Sequence, residues 1–292
     1  MAAENAGAHA PTAGEYIQHH LQHLQMNFSF EGVKQTSIVD FSLFNLDSVV
    51  FSILMGVIGC WFLWAGARKA TSGVPGRFQA AVEILSEMVE NQAKSVIHNP
   101  KSRKLISPMA LTVFVWIFLM NFMDMIPVDL IPHAWHTAGP ALGFKDYMRV
   151  VATADLSTTL GLSTSVLVIC LFYNIKIKGL GGWAHELVAA PFGNHWALWP
   201  VNFLMQMIEY LAKTVSHGMR LFGNMFAGEL VFMLIALMGG GWALSTTGVG
   251  LAIGHVIAGT VWTLFHIMVI TLQAFIFMML TLIYTGQAHD AH

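Results

Sequence analysis

Residues 199–238 read WPVNFLMQMIEYLAKTVSHGMRLFGNMFAGELVFMLIALM, with four formally charged side chains, Glu209, Lys213, Arg220 and Glu229, in an otherwise apolar run. As a helix at about 1.5 Å per residue this stretch is roughly 60 Å long, twice the ~30 Å hydrocarbon core of a bilayer. On a helical wheel Glu209, Lys213, His217, Arg220 and Asn224 share one arc of about 80°, with Gln206 and Ser216 in or beside it. A charge at mid-membrane costs from ~2.5 to more than ~10 kcal/mol, so such a stripe faces a partner, a cavity or a water path. Arg220 is the sharpest member. Its guanidinium cannot shed its charge, so it needs an anion that comes to it. Glu229 lies about 180° from Arg220 on the same helix and faces a different environment.

Outward from this stretch, the 292-residue chain is 55% hydrophobic and 10% charged, with a mean hydropathy of +0.62. That is too apolar for a soluble domain. Further apolar runs at about 46–67, 107–127, 153–175 and 249–285 predict an all-α integral membrane protein with five membrane-embedded helices. The last two are too long to stand upright and are read as steeply tilted, with Gly223 and Gly228 available for bending. After Ser72-Gly73-Val74-Pro75-Gly76, residues 77–98 set Val82, Leu85, Val89 and Val96 among Glu83, Glu87, Glu90 and Lys94, the pattern of an amphipathic surface helix. Residues 1–45 read as a polar exported tail that is not a cleaved signal, and 46–292 as the membrane domain. The loop after the first span carries Arg68, Lys69, Arg77, Lys94, Lys101, Arg103 and Lys104 against Lys34 alone in the tail. The positive-inside rule therefore places the N-terminus outside and the C-terminus in the cytoplasm.

The last span carries His255, His266, Gln273 and Tyr284 within ~20° of one another. Intramembrane histidines beside a polar stripe suit a proton relay, while a lone His255 near one end reads as structural. Other chemistries find little support. A net charge of -2 with dispersed basic residues predicts no nucleic-acid binding. Cys60 and Cys170 sit in apolar runs as small hydrophobes. His9, His19, His20 and His23 read as a solvated helix rather than a metal site. No Gly-Lys-Ser/Thr phosphate loop occurs, so no nucleotide site or cofactor is expected and the chain is read as non-catalytic.

The stretch Ser216-His217-Gly218-Met219-Arg220-Leu221-Phe222-Gly223-Asn224-Met225-Phe226-Ala227-Gly228-Glu229-Leu230 resembles the signature around the essential arginine of the subunit a family of bacterial F-type ATP synthases. Thr271-Leu272-Gln273-Ala274-Phe275-Ile276-Phe277 resembles that family's last-helix signature. Agreement extends through Tyr16-Ile17-Gln18-His19-His20-Leu21, the 72–76 block, Met120-Asn121-Phe122-Met123-Asp124-Met125-Ile126-Pro127-Val128-Asp129-Leu130 and Asn194-His195-Trp196. The resemblance implies a multi-pass protein of the bacterial inner membrane, partnered by a ring of c subunits with mid-membrane carboxylates and by b subunits of a peripheral stalk. It implies two proton half-channels separated by Arg220, which strips the proton from an arriving ring carboxylate and blocks a direct leak. Asn224, Glu229, His266 and Gln273 then match the inlet and the arginine's surroundings. Asn121, Asp124 and Asp155 are further inlet candidates near the outer mouth. Glu209, Ser216, Lys213 and His217 are candidates for the outlet, where the family's usual carboxylate position holds Gln206.

The resemblance implies that Arg220 and Gln273 share a depth, which brings Glu229 within a turn of His266 across an antiparallel helix pair, within reach of a hydrogen bond or a single bridging water. We therefore expect these two side chains to form one proton-handling unit, through a bend or rotation between Gly223 and Gly228. An independent ion channel or secondary transporter is the competing reading, although no internal repeat is present. A membrane-embedded enzyme using the histidines is a third, without a metal or nucleophile constellation to support it.

Overall fold

A computed structural model describes residues 13–27, 40, 42–71, 73–127, 130–131, 134–135, 148–189, 192–193, 195–240 and 245–287. Ser72, Val128, Asp129, Asn194, Lys34, His9 and the side chain of His19 lie outside the described residues. The described residues form seven helices and one two-stranded sheet. The helices are α1 (Ala13–His20), α2 (Leu46–Arg68), α3 (Arg77–Val96), α4 (Pro100–Phe122), α5 (Leu156–Ala189), α6 (Trp199–Gly240) and α7 (Thr246–Gly286). Five of them, α2 and α4 to α7, are long and apolar enough to cross a membrane.

The segment read as a tail is partly folded onto the rest. Strand β1 (Gln25–Asn27) pairs antiparallel with β2 (Leu43–Asn45), Met26 opposite Phe44. Strand β2 then runs directly into α2, and Leu46 N–H donates to the Leu24 carbonyl at 2.9 Å. Alternation of polar and apolar residues is too short here to betray a hairpin, because the two strands are held by what they pack on.

Local signals set the starts of two of the long helices. Asn99 caps α4 by accepting from the Lys101 N–H at 3.0 Å, with Pro100 in the first turn where its missing N–H is harmless. Ser245 caps α7 by accepting from the Gly248 N–H at 3.1 Å. Helix α3 is amphipathic as expected. Its buried Val89 and Ala93, followed by Ile97, pack with Ile106 and Ala110 of α4 and Leu282 of α7, which makes it a platform under the bundle.

One expectation needs correction. The third span, expected at 153–175, starts at Leu156 after a 3-10 turn (Ala152–Ala154) and continues to Ala189. Its extension passes Gly179, whose φ of 73° a side-chain-bearing residue resists, so the axis breaks there. Lys176, Lys178 and Glu186 disguise this part as a loop, yet Lys178 and Glu186 close on each other at 2.8 Å. The fourth span, in which a bend or rotation between Gly223 and Gly228 is expected, is helical throughout its 42 residues. Two of its glycines, Gly218 and Gly228, serve close approach. At Gly218 a side chain would meet Leu160 Cδ2 at 2.9 Å and the Thr159 carbonyl at 3.1 Å, so α5 and α6 pack backbone against backbone.

Candidate functional site

The site is built along the antiparallel seam between α6 and α7. The arc read on the last span turns toward α6 at every step. His255 Nδ1 lies 2.7 Å from the Ile235 carbonyl, His266 is buried over Gly228, Gln273 Oε1 accepts from Asn224 Nδ2 at 2.6 Å, and Tyr284 packs edge-on to His217 at 5.9 Å. This keeps the register that places Arg220 level with Gln273 to within about one helical turn. His255, bonded to a backbone carbonyl, is structural, as read.

Arg220 stands one turn from Asn224 on the exposed face of α6. Among the described residues no carboxylate of the chain lies within ion-pair distance of it. Its exposed neighbours Ser216, Met219, Gly223 and Ala227 are mostly small, so a helix from outside the chain can come close to the guanidinium.

On one side of Arg220, beside the seam, lies a narrow cleft lined by Asp124, Pro127, Arg149, Val151 and Glu229. Both Glu229 oxygens are taken by Arg149: Nε donates to Oε1 at 3.2 Å and Nη2 to Oε2, a two-pronged fork that is the strongest geometry for this pair. His266 Nε2 approaches Asp124 Oδ2 at 2.7 Å, the oxygen lying off the line of the ring N–H, as its lack of a proper hydrogen bond records. The imidazole is further enclosed by the rings of Phe232 and Trp262. Glu229 and His266 are not joined by a direct hydrogen bond, the first of the two contacts expected of them. A side chain at Gly228 would collide with the His266 ring, so the imidazole sits over that glycine and turns to α4, while Glu229 turns to the segment that precedes α5. The two pairs meet through Asp124, which shares the cleft with Glu229.

Asn121, one turn before Asp124, is fully buried and its amide has no hydrogen-bond partner among the described residues. Burying an amide unpaired is costly, which marks it as a place for water or a passing ligand. Asp155 caps α5, accepting from the Ser157 N–H at 3.0 Å and the Thr158 hydroxyl at 3.3 Å, and takes the Asn45 amide at 2.9 Å.

On the other side of Arg220, a second narrow cleft lies between α5, α6 and α7, lined by Ser163, Tyr210, Lys213, His217, Tyr284 and Gln287 among others. Lys213 pairs with Glu209 at 2.6 Å, donates to Gln287 at 2.9 Å and covers the Tyr284 ring. His217 is buried, its ring tilted against Phe277 with centroids 3.9 Å apart, and its Nε2 has no partner among the described residues. Ser216 is exposed on the Arg220 face and Gln206 is half-buried. Among the described residues no group of three or more His, Cys, Asp or Glu side chains is placed to hold a metal.

Three participants escape a reading by periodicity: Arg149, Asp47 and His23. Arg149 lies in a connection without helical pattern, and His23 in the segment read as solvated. Arg149 reaches Glu229, Asp47 and His23, which are 80, 102 and 126 residues away in sequence. The one available signal for Arg149 was a buried acid, Glu229, that needed a cation the spans did not supply.

Residues 49–286 match the family described as ATP synthase A chain. The chain is 68% identical to the ATP synthase subunit a of Paracidovorax citrulli, over all of both chains. It is 67% identical to that of an Acidovorax species, covering 98% of this chain and 99% of the relative. With that of Shewanella piezotolerans the identity is 47%, again over 98% and 99%.

Proposed function

The chain belongs to the ATP synthase A chain family, and from that premise we propose how its geometry moves protons. The family makes it a multi-pass membrane component of an ATP synthase, taking part in proton translocation without catalysing nucleotide chemistry itself. In our reading the cleft of Asp124, Arg149 and Glu229, extended by His266 and Asn121, is the inlet half-channel. The cleft of Lys213, His217 and Tyr284, with Glu209 and Ser216 near it, is the outlet. A ring of c subunits turns against the exposed face of α6, its carboxylates meeting Arg220, and b subunits hold the chain still. The N-terminus faces outward and the C-terminus the cytoplasm, as the distribution of basic residues favours.

The observation that carries this reading is the placement of two separate clefts at different levels of α6 with Arg220 exposed between them. Glu229 and His217 are twelve residues apart on that helix, about 18 Å, so a proton cannot pass directly from one cleft to the other. It must leave the chain, travel on an external carrier, and return. Arg220 provides the fixed charge that ionises an arriving carboxylate. Asn224 and Gln273, bonded to each other, flank it with neutral polar groups. One charge falling through ~150 mV releases about 3.5 kcal/mol, so several must be gathered per ATP, as a rotating ring does.

ATP-driven proton pumping in inverted vesicles tests the assignment. With assembly intact, Arg220→Ala abolishes pumping. Arg220→Lys fails too, since a lysine can neutralise in a dry site and lacks the planar fork. Normal pumping by either variant defeats the reading.

A further inference from the structure

Where the first cleft meets the N-terminal segment, a group of side chains stands outside every assignment made above. Asp47, in the first turn of α2, is fully buried and acts as a staple: Oδ2 accepts from the Leu24 N–H and from the Arg149 N–H, both at 3.1 Å, and Oδ1 accepts from the Ser48 N–H at 2.8 Å. It thus ties the start of the β1–β2 hairpin to the backbone that carries Arg149. His23, adjacent to that hairpin, reaches into the same place. Its Nε2 is 3.0 Å from Arg149 Nη1 and its Nδ1 is 3.4 Å from Asp47 Oδ2.

The chemistry of the pair fixes the state of the imidazole. Guanidinium nitrogens can only donate. His23 Nε2 must therefore accept, which makes the ring neutral with its proton on Nδ1, facing Asp47. Arg149 consequently has three of its nitrogens committed: Nε and Nη2 to Glu229, Nη1 to His23. Its guanidinium also lies over the Phe226 ring at 5.7 Å. The side chain is held from the outside by His23 and presented to Glu229 from the inside. Exposure grades the same way: the His23 side chain is 15% accessible, those of Arg149 and Glu229 only 5% and 7%.

We propose that His23 is a positioning residue of the proton inlet, and that the N-terminal segment carrying it is a wall of that inlet rather than an exported tail. By accepting from Nη1, His23 fixes the rotation of the guanidinium so that its fork meets both oxygens of Glu229. Without it, Arg149 turns toward the partly open mouth and Glu229 loses the geometry in which it passes protons inward. The proposal rests on the assignment of this cleft as the inlet.

The test uses vesicles containing the whole ATP synthase, with ATP-driven pumping expressed per assembled complex. His23→Ala is expected to lower pumping about ten-fold, the size of losing one hydrogen bond to a charged group, whereas His23→Gln stays within about two-fold of the natural protein. Glutamine cannot carry a proton at this position, but its carbonyl accepts from Arg149 and its amide donates to Asp47. Wild-type pumping by His23→Ala overturns the proposal. Equal loss in both variants also overturns it, because the imidazole's own proton would then be required. Should His23→Ala assemble poorly, the more nearly isosteric His23→Gln decides alone: retained pumping supports positioning, and loss per assembled complex rejects it. Arg220→Ala run in parallel separates the two levels. Pumping by that variant sinks the inlet reading itself, while its failure beside a normal His23→Ala removes only the role of His23.

Discussion

At Gly228 the absence of a side chain makes room for a functional one. A β-carbon there would overlap the ring of His266, which is 1% exposed and closed in by Phe232 and Trp262. The imidazole would have to shift, and its placement against Asp124 would shift with it. Gly228→Ala is expected to destabilise the protein by about 1–3 kcal/mol, as overpacked sites do, and to impair pumping because the Asp124–His266 pair opens. Gly223→Ala is the contrast. A β-carbon there meets nothing within 4 Å, so the substitution should leave stability unchanged or raise it by up to about 1 kcal/mol through helix propensity. Thermal unfolding of the two variants in detergent checks the pair of signs, and equal destabilisation would contradict the packing described. The arc of His255, His266, Gln273 and Tyr284 was legible from sequence because helical periodicity places side chains on a face. Their individual partners were not. Glu229 and His266 share a depth, yet the choice of Arg149 and Asp124 over each other depends on elements that no local pattern reports.

Secondary elements were read most securely where hydrophobic length alone decides. Helices α2, α6 and α7 lie close to their expected ranges, whereas α4, expected at 107–127, begins at Pro100 because its first turn takes in Lys101, Arg103 and Lys104. The end of α5 was missed, since Lys178 and Glu186 look like loop residues until their mutual pairing is known. The N-terminal hairpin was missed because three-residue strands carry no usable period. Asp155 illustrates a confusion between levels: an acid at the start of a span reads equally as a proton-path group or as a cap. The hydrogen bonds to Ser157 and Thr158 support the cap. Asp155→Ala should therefore cost about 0.5–2 kcal/mol in stability, whereas Asp155→Asn, a good cap without a titratable proton, keeps both stability and pumping. A loss of pumping in a stably assembled Asp155→Asn would return the residue to the inlet.

For the whole molecule the decisive quantity is the length of α6 and α7 against the thickness of the bilayer. Helices of 42 and 41 residues run about 63 and 61 Å, while the hydrocarbon is ~30 Å and the full bilayer ~45 Å thick. Either both helices project far into water or both lie oblique. Projection is disfavoured by composition, because apolar side chains such as Val201, Phe203, Leu204, Val256 and Ile257 are exposed toward both ends, and exposing them to water forfeits roughly 25 cal/mol for each Å². Trp196 and Trp199, both exposed at the start of α6, suit the bilayer interface. Containing α6 within the whole bilayer requires an angle of about 45° to the normal, and containing it within hydrocarbon requires about 60°. An oblique α6 also explains how two clefts separated along one helix can open to opposite sides of the membrane, with Arg220 near mid-depth between them. We expect both helices at 45–60° in the assembled complex, a range set by those approximate lengths, measurable by imaging it in a lipid nanodisc. An upright α6, with its ends tens of ångströms outside the lipid, would contradict this and leave the exposed apolar residues at its ends without a solvent.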